Sequence, residues 1–365
     1  MAISKITTSS INKPFGFKNL IINGAMTLAQ RATSATTLAH ATYKTIDRFS
    51  QNLTANSFVL TSEQSTDAPA GFDYSLKIAC TTADTSLAAG DRMMFYTRVE
   101  DKDLGHLEFG TAGAKSLTLS FYVKSNKTGT YQVNLWHNNA GKFTSATYTI
   151  DSASTWERKT MTFHGDSSTI MANDSEEALQ VEMILLAGTN YTSGTINTSS
   201  TYASTGNTRA ASQTVNIADS TSNTWQVTGM QLEAGTKASD FEHLPYEINL
   251  QRCQRYYYRL AGHSGQNYMN FGMSSTNGTD TFTFVNFPVP LRAAATISSS
   301  GTFSSNVPYG GSAYENTTGG PSIGDQGPTL ARVTFTTSTS YSAGLNGRIL
   351  VLNDGNAFIG FESEL

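Results

Sequence analysis

The sequence predicts an all-β protein composed of two β-sandwich domains. Apolar residues recur with a period of two in short segments, polar turns separate these segments, and helical periodicity is nearly absent. Charged residues make up 14% of the chain, against roughly 25% in typical soluble domains. The alternation stops near residue 245 and resumes near residue 256, which indicates two separate cores in a chain long enough to bury both.

The charge and hydropathy of the chain exclude several classes of protein. The formal net charge is -4 and there is no basic run, so nothing predicts a nucleic-acid partner. No run approaches the roughly 18 apolar residues of a membrane span. The first residues lack the apolar core of a signal peptide, so we expect no membrane insertion.

Two cysteines, Cys80 and Cys253, are too few for a disulfide framework. A single Cys80–Cys253 bridge is one alternative. The other, which we favour, is two buried thiols that pack as small apolar side chains. This usage fits folding in a reducing cytoplasm.

The first predicted domain covers residues 19–247 and follows an extended arm at residues 1–18. The arm is polar and shows no alternation, so it either docks onto another protein or is a frayed terminus. Strands are predicted at residues 19–24 and 43–49. The next strand places Tyr74, Leu76, Ile78 and Cys80 on one face.

The clearest alternation lies in residues 117–124. The expected core side chains are Leu117, Leu119, Phe121 and Val123, and the expected solvent-facing ones are Thr118, Ser120, Tyr122 and Lys124. The returning strand, residues 131–136, places Tyr131, Val133 and Leu135 inside. Later strands are predicted at residues 147–150, 156–163 and 179–186. The polar loop 188–213 is expected to be mobile or to pack on a symmetry mate.

The stretch from Thr224 to Leu260 connects the two domains. It begins as a strand that ends near Gly235, and Pro245 keeps the preceding residues extended. One or two helical turns over residues 246–252 follow. The second domain, residues 248–365, then has strands at residues 256–260, 269–273, 281–289, 293–299, 329–337, 347–352 and 357–361. An exposed loop is predicted at residues 309–327.

Several short motifs carry a resemblance to a known group. They are NLIINGAMTLAQRATS from residue 19, GFDYSLKI from residue 71, TGMQLEAG from residue 228, FEHLPYEINLQRCQRYY from residue 241, FPVPLRAAATISSSG from residue 287 and GFESEL from residue 360. These resemble bacteriophage tail-fibre and virion-appendage proteins, in which a carbohydrate-binding-module-like jelly roll precedes a small C-terminal β-domain. The resemblance implies a jelly roll over residues 19–247 and a smaller β-sandwich over residues 248–365.

The same resemblance implies a function. It implies a structural virion protein, a tail-fibre or appendage subunit that binds a host surface glycan. It also implies a homotrimer whose N-terminal arm contacts other virion proteins, assembled in the host bacterial cytoplasm and located in the tail or another appendage. Two alternatives stay open: a head or neck decoration protein without a receptor role, and a polysaccharide-degrading tailspike.

The residues themselves give little sign of catalysis. No nucleophile elbow, phosphate-binding loop, dinucleotide motif or paired-histidine zinc motif is present. A glycosidase needs two carboxylates about 5–9.5 Å apart. The acidic residues Glu100, Asp101, Asp103 and Glu108 cluster in sequence, but a charged turn explains them better. We therefore expect no enzyme activity.

Sugar binding requires an aromatic ring that stacks on the apolar face of a pyranose, with amides or hydroxyls at the rim. The candidate side chains are Tyr122, Trp136, His137, Asn138 and Tyr148. The alternative is that loop 188–213 or a neighbouring chain covers them. Trp156 and Trp225 are expected in the core.

Two further expectations concern contacts and metals. The run Tyr256, Tyr257 and Tyr258 places rings on both faces of a strand, so one face is expected at a subunit or interdomain contact. We expect no cofactor. The resemblance implies that a structural calcium ion is an alternative, with Asp47 or Asp240 and a loop carbonyl as candidate ligands.

Overall fold

The computed structural model describes residues 17–38, 42–54, 57–261, 274–306, 315–341, 346–351 and 357–365. The chain divides into two compact units. Unit 1 comprises Met1–Thr27, Thr36–Thr42 and Ser50–Leu244, and unit 2 comprises Leu28–Ala35, Tyr43–Phe49 and Pro245–Leu365. Residues 28–35 and 43–49 thus group with the second unit, although the sequence placed them in the first domain. That the units are independent domains stays a prediction.

The chain is mostly β-strand, as the sequence predicts. The strands are β1 (Ser34–Ala35), β2 (Phe49–Thr54), β3 (Val59–Ser65), β4 (Ser75–Thr82), β5 (Arg92–Glu100), β6 (Leu117–Ser125), β7 (Gly129–His137), β8 (Lys142–Ile150), β9 (Glu157–Phe163), β10 (Glu177–Ala187), β11 (Thr224–Ala234), β12 (Tyr257–Ala261), β13 (Ser274–Asn286), β14 (Thr296–Ser300), β15 (Phe303–Asn306), β16 (Glu315–Asn316), β17 (Ser322–Gln326), β18 (Leu330–Tyr341), β19 (Asn346–Val351) and β20 (Phe358–Glu362). Short 3-10 helices lie at Asp101–Asp103, Gly105–Leu107 and Gly206–Thr208.

The described part of the chain has one α-helix, α1 (Tyr246–Gln254), at the predicted turns. Pro245 precedes it, Glu247 lies in its first turn and Arg252 in its last, an arrangement that suits the helix dipole. No described helix has the length and hydropathy needed to span a bilayer.

Unit 1 is a jelly roll. Its first sheet contains the order β3-β4-β11-β6-β9 and its second the order β2-β5-β10-β7-β8. Successive strands from β4 to β11 alternate between the sheets, except for the hairpin of β7 and β8 in the second sheet. The resulting orders, β4-β11-β6-β9 and β5-β10-β7-β8, are those of a jelly roll. Trp225 of β11 meets Phe95 of β5, with ring centroids 5.7 Å apart. The core therefore lies between the two sheets.

The structure confirms the predicted core side chains of β6 but not all of the predicted solvent-facing ones. Leu117, Leu119, Phe121 and Val123 are fully buried. Thr118 and Ser120 are buried as well, so their predicted solvent exposure is wrong. The segment after β11 folds back over this face, and Thr118 Oγ1 donates to the Gly235 carbonyl 2.8 Å away.

Two predicted strands are not strands. Residues 19–24 form a buried turn beside β11, where Leu20 N–H donates to Leu232 O and Met230 N–H donates to Gly24 O. The Asn19 amide competes with regular pairing, because it donates to Met230 O and accepts from Leu232 N–H. Residues 43–48 are irregular, and the strand begins only at Phe49.

Loop 188–213 packs on its own chain, which corrects the expectation of a mobile segment. Phe143 and Ala203 exchange backbone hydrogen bonds. The Gln132 amide donates to the carbonyls of Thr208 and Arg209. These anchors hold the loop over the outer face of the second sheet.

Unit 2 contains the sheet orders β12-β20-β14 and β16-β15-β19-β13-β18-β17. Its buried core draws on both, with Ile359 and Phe361 from β20 and Val333 and Phe335 from β18, so the unit is a second β-sandwich. The predicted loop 309–327 contains β17, which pairs with β18 and packs Ile323 on this core. The strand predicted at 269–273 and residues 1–16 of the predicted arm lie outside the described residues.

Candidate functional site

The outer face of the second sheet carries a row of polar and aromatic side chains. Tyr131, Val133 and Leu135 of β7 are fully buried in the core, as predicted, and Trp136 therefore points outward. In the antiparallel register Trp136 lies opposite Gln180 of β10, and Gln180 lies opposite Arg98 of β5. Side chains that are direct cross-strand partners share a face. The row thus crosses three strands.

A buried carboxylate organises the middle of this face. Glu182 has no exposed surface and accepts hydrogen bonds from Gln180 Nε2 at 2.6 Å and Asn134 Nδ2 at 3.2 Å. Arg209 from loop 188–213 completes the pairing, with Nε 2.9 Å from Glu182 Oε2. Burial alone would lower the pKa of Arg209, but the Glu182 charge reverses this effect and raises the pKa above its ordinary value.

A second ion pair borders the row. Arg98 Nε lies 2.8 Å from Glu177 Oε2 and donates to Gln180 Oε1 at 2.9 Å. Its guanidinium carbon lies 4.9 Å from the centre of the Tyr96 ring. Gln180 is held at both ends of its amide, since Glu182 accepts from its nitrogen. The polar groups of this row are therefore fixed in position.

Trp136 is partly exposed in this setting. Its ring stacks on Phe143, with centroids 5.9 Å apart, and the Arg209 guanidinium carbon lies 4.8 Å from its centre. Its Nε1 donates to Asn138 Oδ1 at 3.4 Å, and Asn138 is exposed. A ligand at this position would meet the indole together with a guanidinium. This differs from the open ring predicted from the sequence.

A second guanidinium extends the face beyond Arg209. Arg92, Met94, Tyr96 and Arg98 alternate on the outer side of β5, and the Arg92 guanidinium carbon lies 4.9 Å from the centre of the Tyr191 ring. We call Trp136, Gln180, Arg98, Arg209, Arg92 and Tyr191 the arginine–aromatic face. All six belong to unit 1.

His137 does not belong to this face, which corrects its predicted role. It has no exposed surface, and its Nδ1 lies 2.8 Å from Asp166 Oδ2. Phe109 and Tyr202 meet its ring edge-on. His137 continues the inward series of β7, so strand periodicity places it in the interior.

Tyr148 is also a core residue, contrary to prediction. It is the cross-strand partner of Tyr131, and the two rings stack with centroids 5.2 Å apart. Its hydroxyl accepts a hydrogen bond from Trp225 Nε1 at 3.1 Å. Burial raises the pKa of Tyr148 well above its ordinary value. A ring in this position cannot contact a surface ligand.

Tyr122 lies on the other sheet, and Trp156 immediately precedes β9 of that sheet. Tyr122 is partly buried against Phe72, with centroids 5.5 Å apart. Trp225 is fully buried as predicted, but Trp156 is partly exposed and its Nε1 donates to Asp67 Oδ1 at 3.2 Å. The structure thus brings together only Trp136 and Asn138 of the predicted sugar-binding residues.

The tyrosine run is largely covered within unit 2. Tyr256 and Tyr257 are both buried. The Arg48 guanidinium carbon lies 3.5 Å from the centre of the Tyr256 ring, and that of Arg31 lies 3.7 Å from the centre of Tyr257. Tyr258 packs near Phe287 and Phe361. One chain suffices to bury the first two rings, and a subunit contact of this run stays a prediction.

The predicted calcium ligands have other partners. Asp47 lies beside Arg31 and accepts from Gln30 Nε2 at 2.7 Å. The Asp240 carbonyl accepts from Lys18 Nζ. Among the described residues, no group of three or more His, Cys, Asp or Glu side chains could hold a metal ion. Cys80 and Cys253 are free and buried, as predicted.

The acidic cluster is structural where it is buried. Glu100 and Asp101 are buried, and Asp101 Oδ2 accepts the Ala172 N–H at 2.7 Å. Asp103 and Glu108 are exposed in or beside the short helices. The predicted charged turn around Lys102 is confirmed as a 3-10 helix.

Sequence reasoning missed Arg92, Arg98, Gln180 and Arg209. The sequence did contain a usable signal. Glu182 and Gln180 interrupt the apolar sequence of β10, Arg92 is the first residue of β5, and Arg98 lies near the end of β5. Charged side chains inside an apolar strand are rarely buried without a partner. Arg209 lies in a loop without periodicity, so nothing in the sequence links it to Trp136.

Comparison with solved structures gives distant likenesses. No protein-family model matches the chain, and no curated protein matches its sequence. The enzymatically active domain of a bacteriophage CBA120 tailspike aligns at 11% identity over 60% of this chain and 21% of its own, with a TM-score of 0.31. The matched region is thus about a fifth of that tailspike chain.

Two carbohydrate-binding modules align over nearly their whole length. A family 11 module from Clostridium thermocellum, solved with a β-1,3-1,4-linked tetrasaccharide, has 9% identity, covers 58% of this chain and 99% of its own, and has a TM-score of 0.28. The xylan-binding domain of Paenibacillus barcinonensis Xyn10C has 8% identity, with coverages of 56% and 94% and a TM-score of 0.26. None of these likenesses assigns a function to this chain.

Proposed function

We propose that this chain is a glycan-binding structural subunit of a bacteriophage tail fibre or other virion appendage. The observation that carries the glycan-binding part is the arginine–aromatic face. It joins a partly exposed indole to the partly exposed guanidinium of Arg98, which the buried Gln180 amide holds in position. The exposed amide of Asn138 lies beside the indole. Recognition of sugar hydroxyls needs such donors and acceptors held beside an apolar surface.

The virion part of the proposal rests on the sequence motifs that lie in both units. It includes a homotrimer, a location in the virion tail or another appendage, and contacts of residues 1–18 with other virion proteins. Trimerisation would convert weak single-site sugar contacts into useful avidity. Light scattering on the purified chain tests the homotrimer, and mass spectrometry of purified particles tests the location in the virion. A chain that is monomeric both in solution and in particles would contradict the proposed homotrimer.

The proposed activity is binding without turnover. Binding is tested by titrating host surface polysaccharide into the wild-type chain and into Trp136→Ala. We expect the variant to fold and to bind about 10-fold more weakly, because the indole is the partly exposed aromatic ring of the row. Trp156→Ala is the matched control, since it removes a partly exposed indole beside the other sheet. Equal losses in both variants, or none, would contradict the assignment of the site.

Enzyme activity is tested on the same polysaccharide. We expect no new reducing ends after prolonged incubation with wild-type chain. Their appearance would favour the tailspike alternative. Absence of any glycan binding by intact particles would favour the decoration alternative.

A further inference from the structure

The charges of the arginine–aromatic face do not cancel. Arg98 pairs with Glu177, and Arg209 pairs with Glu182. Arg92 forms no ion pair within the described part of the chain, and its buried Nε has no hydrogen-bond partner there. The face therefore carries one uncompensated positive charge.

The surroundings of Arg92 destabilise its positive charge when no ligand is bound. Arg92 is only partly exposed. Burial lowers its pKa below the ordinary value, and the nearby charge of Arg209 adds to the effect. Two guanidinium groups near each other in a partly buried setting repel, and the Glu182 carboxylate is already bonded to Arg209, Gln180 and Asn134. An anionic ligand would relieve this repulsion.

The position of Arg92 suits a sugar more than a free ion. Its guanidinium lies over the Tyr191 ring, as that of Arg209 lies over Trp136. Two aromatic rings thus flank two cations on one face of the sheet. Apolar surface next to a planar fork of donors matches a pyranose ring that bears a carboxylate.

We propose that Arg92 binds the carboxylate of an acidic saccharide, so that the glycan recognised by the arginine–aromatic face contains a uronic acid. This inference rests on the proposed glycan-binding function and specifies its ligand. The two terminal nitrogens of Arg92 would donate to the two carboxylate oxygens. The ring of the same sugar would lie against Tyr191.

The test compares α-1,4-linked trigalacturonate with α-1,4-linked galactotriose, which differ only in the carboxylates. We expect trigalacturonate to bind wild-type chain about 10-fold more tightly and to shift the NMR signal of Arg92 Nε–H. Arg92→Gln should lose this preference, so that trigalacturonate and galactotriose bind the variant with equal affinity. Arg158→Gln is the control, because Arg158 lies on the other sheet and donates to the Ser239 carbonyl. The control should retain the preference.

The outcomes separate this inference from the proposed function. Equal affinity for the two trisaccharides, or an undiminished preference in Arg92→Gln, would overturn the role of Arg92 while glycan binding stands. A shift of Arg92 Nε–H by trigalacturonate that persists in Trp136→Ala, with no binding of galactotriose to wild type, would support the carboxylate site and overturn the neutral-sugar site. An equal shift with acetate alone would show that Arg92 binds any simple anion. That result would overturn the proposal that its ligand is an acidic saccharide.

Discussion

At the scale of the residue, the protonation of the buried Asp47 carboxyl makes the stability of the fold depend on pH. Asp47 in unit 2 lies beside Arg31 and accepts from Gln30. Burial is the main cause that raises its pKa from 3.8 to about 6, and Arg31 and Gln30 counteract it only in part. The folded state thus binds this proton more tightly than the unfolded state does.

The corresponding prediction concerns Asp47→Asn. The stabilising effect of the raised pKa is complete below about pH 4 and is lost as the pH rises through about 6, a change of about 3 kcal/mol. The variant cannot bind that proton, so its stability should fall less than that of wild type between about pH 4 and pH 7.5. Urea unfolding at both pH values measures this. Parallel pH profiles for the two proteins would contradict it.

Tyr148 gives a second prediction at this scale. Tyr148→Phe removes the acceptor of the Trp225 indole N–H, and the unsatisfied buried donor should cost about 1–3 kcal/mol of unfolding free energy. Tyr122→Phe is the matched control on the neighbouring sheet and should cost less than about 0.5 kcal/mol. Thermal unfolding of both variants checks this. A loss in Tyr122→Phe as large as in Tyr148→Phe would show that the hydrogen bond is not the cause.

At the scale of the element, β11 contains an irregularity that a glycine permits. The pairing of β11 with β6 shifts register between Thr228 and Gln231, and Gly229 has φ 62°. A Cβ at this position would lie 2.7 Å from Cζ of Phe72. Gly229→Ala therefore meets both backbone strain and a clash.

Gly141→Ala separates these two causes. Gly141 has φ 61° and open space around its Cβ direction, so its substitution should cost only the strain, about 1 kcal/mol. Gly229→Ala should cost distinctly more, roughly 2–4 kcal/mol. Denaturant midpoints of the two variants provide the comparison. Equal costs would mean that Phe72 moves away freely.

The strands also show what sequence periodicity can and cannot predict. Alternation identified the inward residues of β6 and β7, because side chains on a strand must alternate. It could not reveal that residues 235–244 cover the outer face of β6, since nothing local encodes which segment returns over a sheet. For the same reason Thr118 was assigned to solvent. Tyr148 required knowledge of its cross-strand partner, Tyr131.

At the scale of the whole molecule, the fold class and the jelly roll followed from strand number, turn composition and motif resemblance. The make-up of the units did not. Residues 28–35 and 43–49 belong to unit 2 through contacts of Arg31 and Arg48 with residues more than 200 positions away. The candidate site was predictable only at Trp136 and Asn138, because its arginines come from β5 and from a loop without periodicity.

A fragment experiment tests this discontinuity. Residues 245–365 alone lack Arg31, which contacts Tyr257, and Arg48, which contacts Tyr256 and Glu364. We therefore expect no cooperative thermal transition. The same fragment with residues 28–49 joined through a flexible linker should regain one. Arg48→Met in the linked fragment should weaken the gain, because it removes the charge that pairs with Glu364. A cooperative transition in the bare fragment would show that unit 2 needs none of these residues.

The separation of Arg48 from Glu364 in the sequence also determines how long Arg48 waits for its partner during synthesis. The two residues are 316 positions apart, and ribosomes add about 5–20 residues per second. Arg48 thus leaves the ribosome about 15–60 s before its carboxylate partner exists. All strands of the jelly roll are translated within that interval. During synthesis, the jelly roll can close around its own core while the arginines destined for unit 2 still face water.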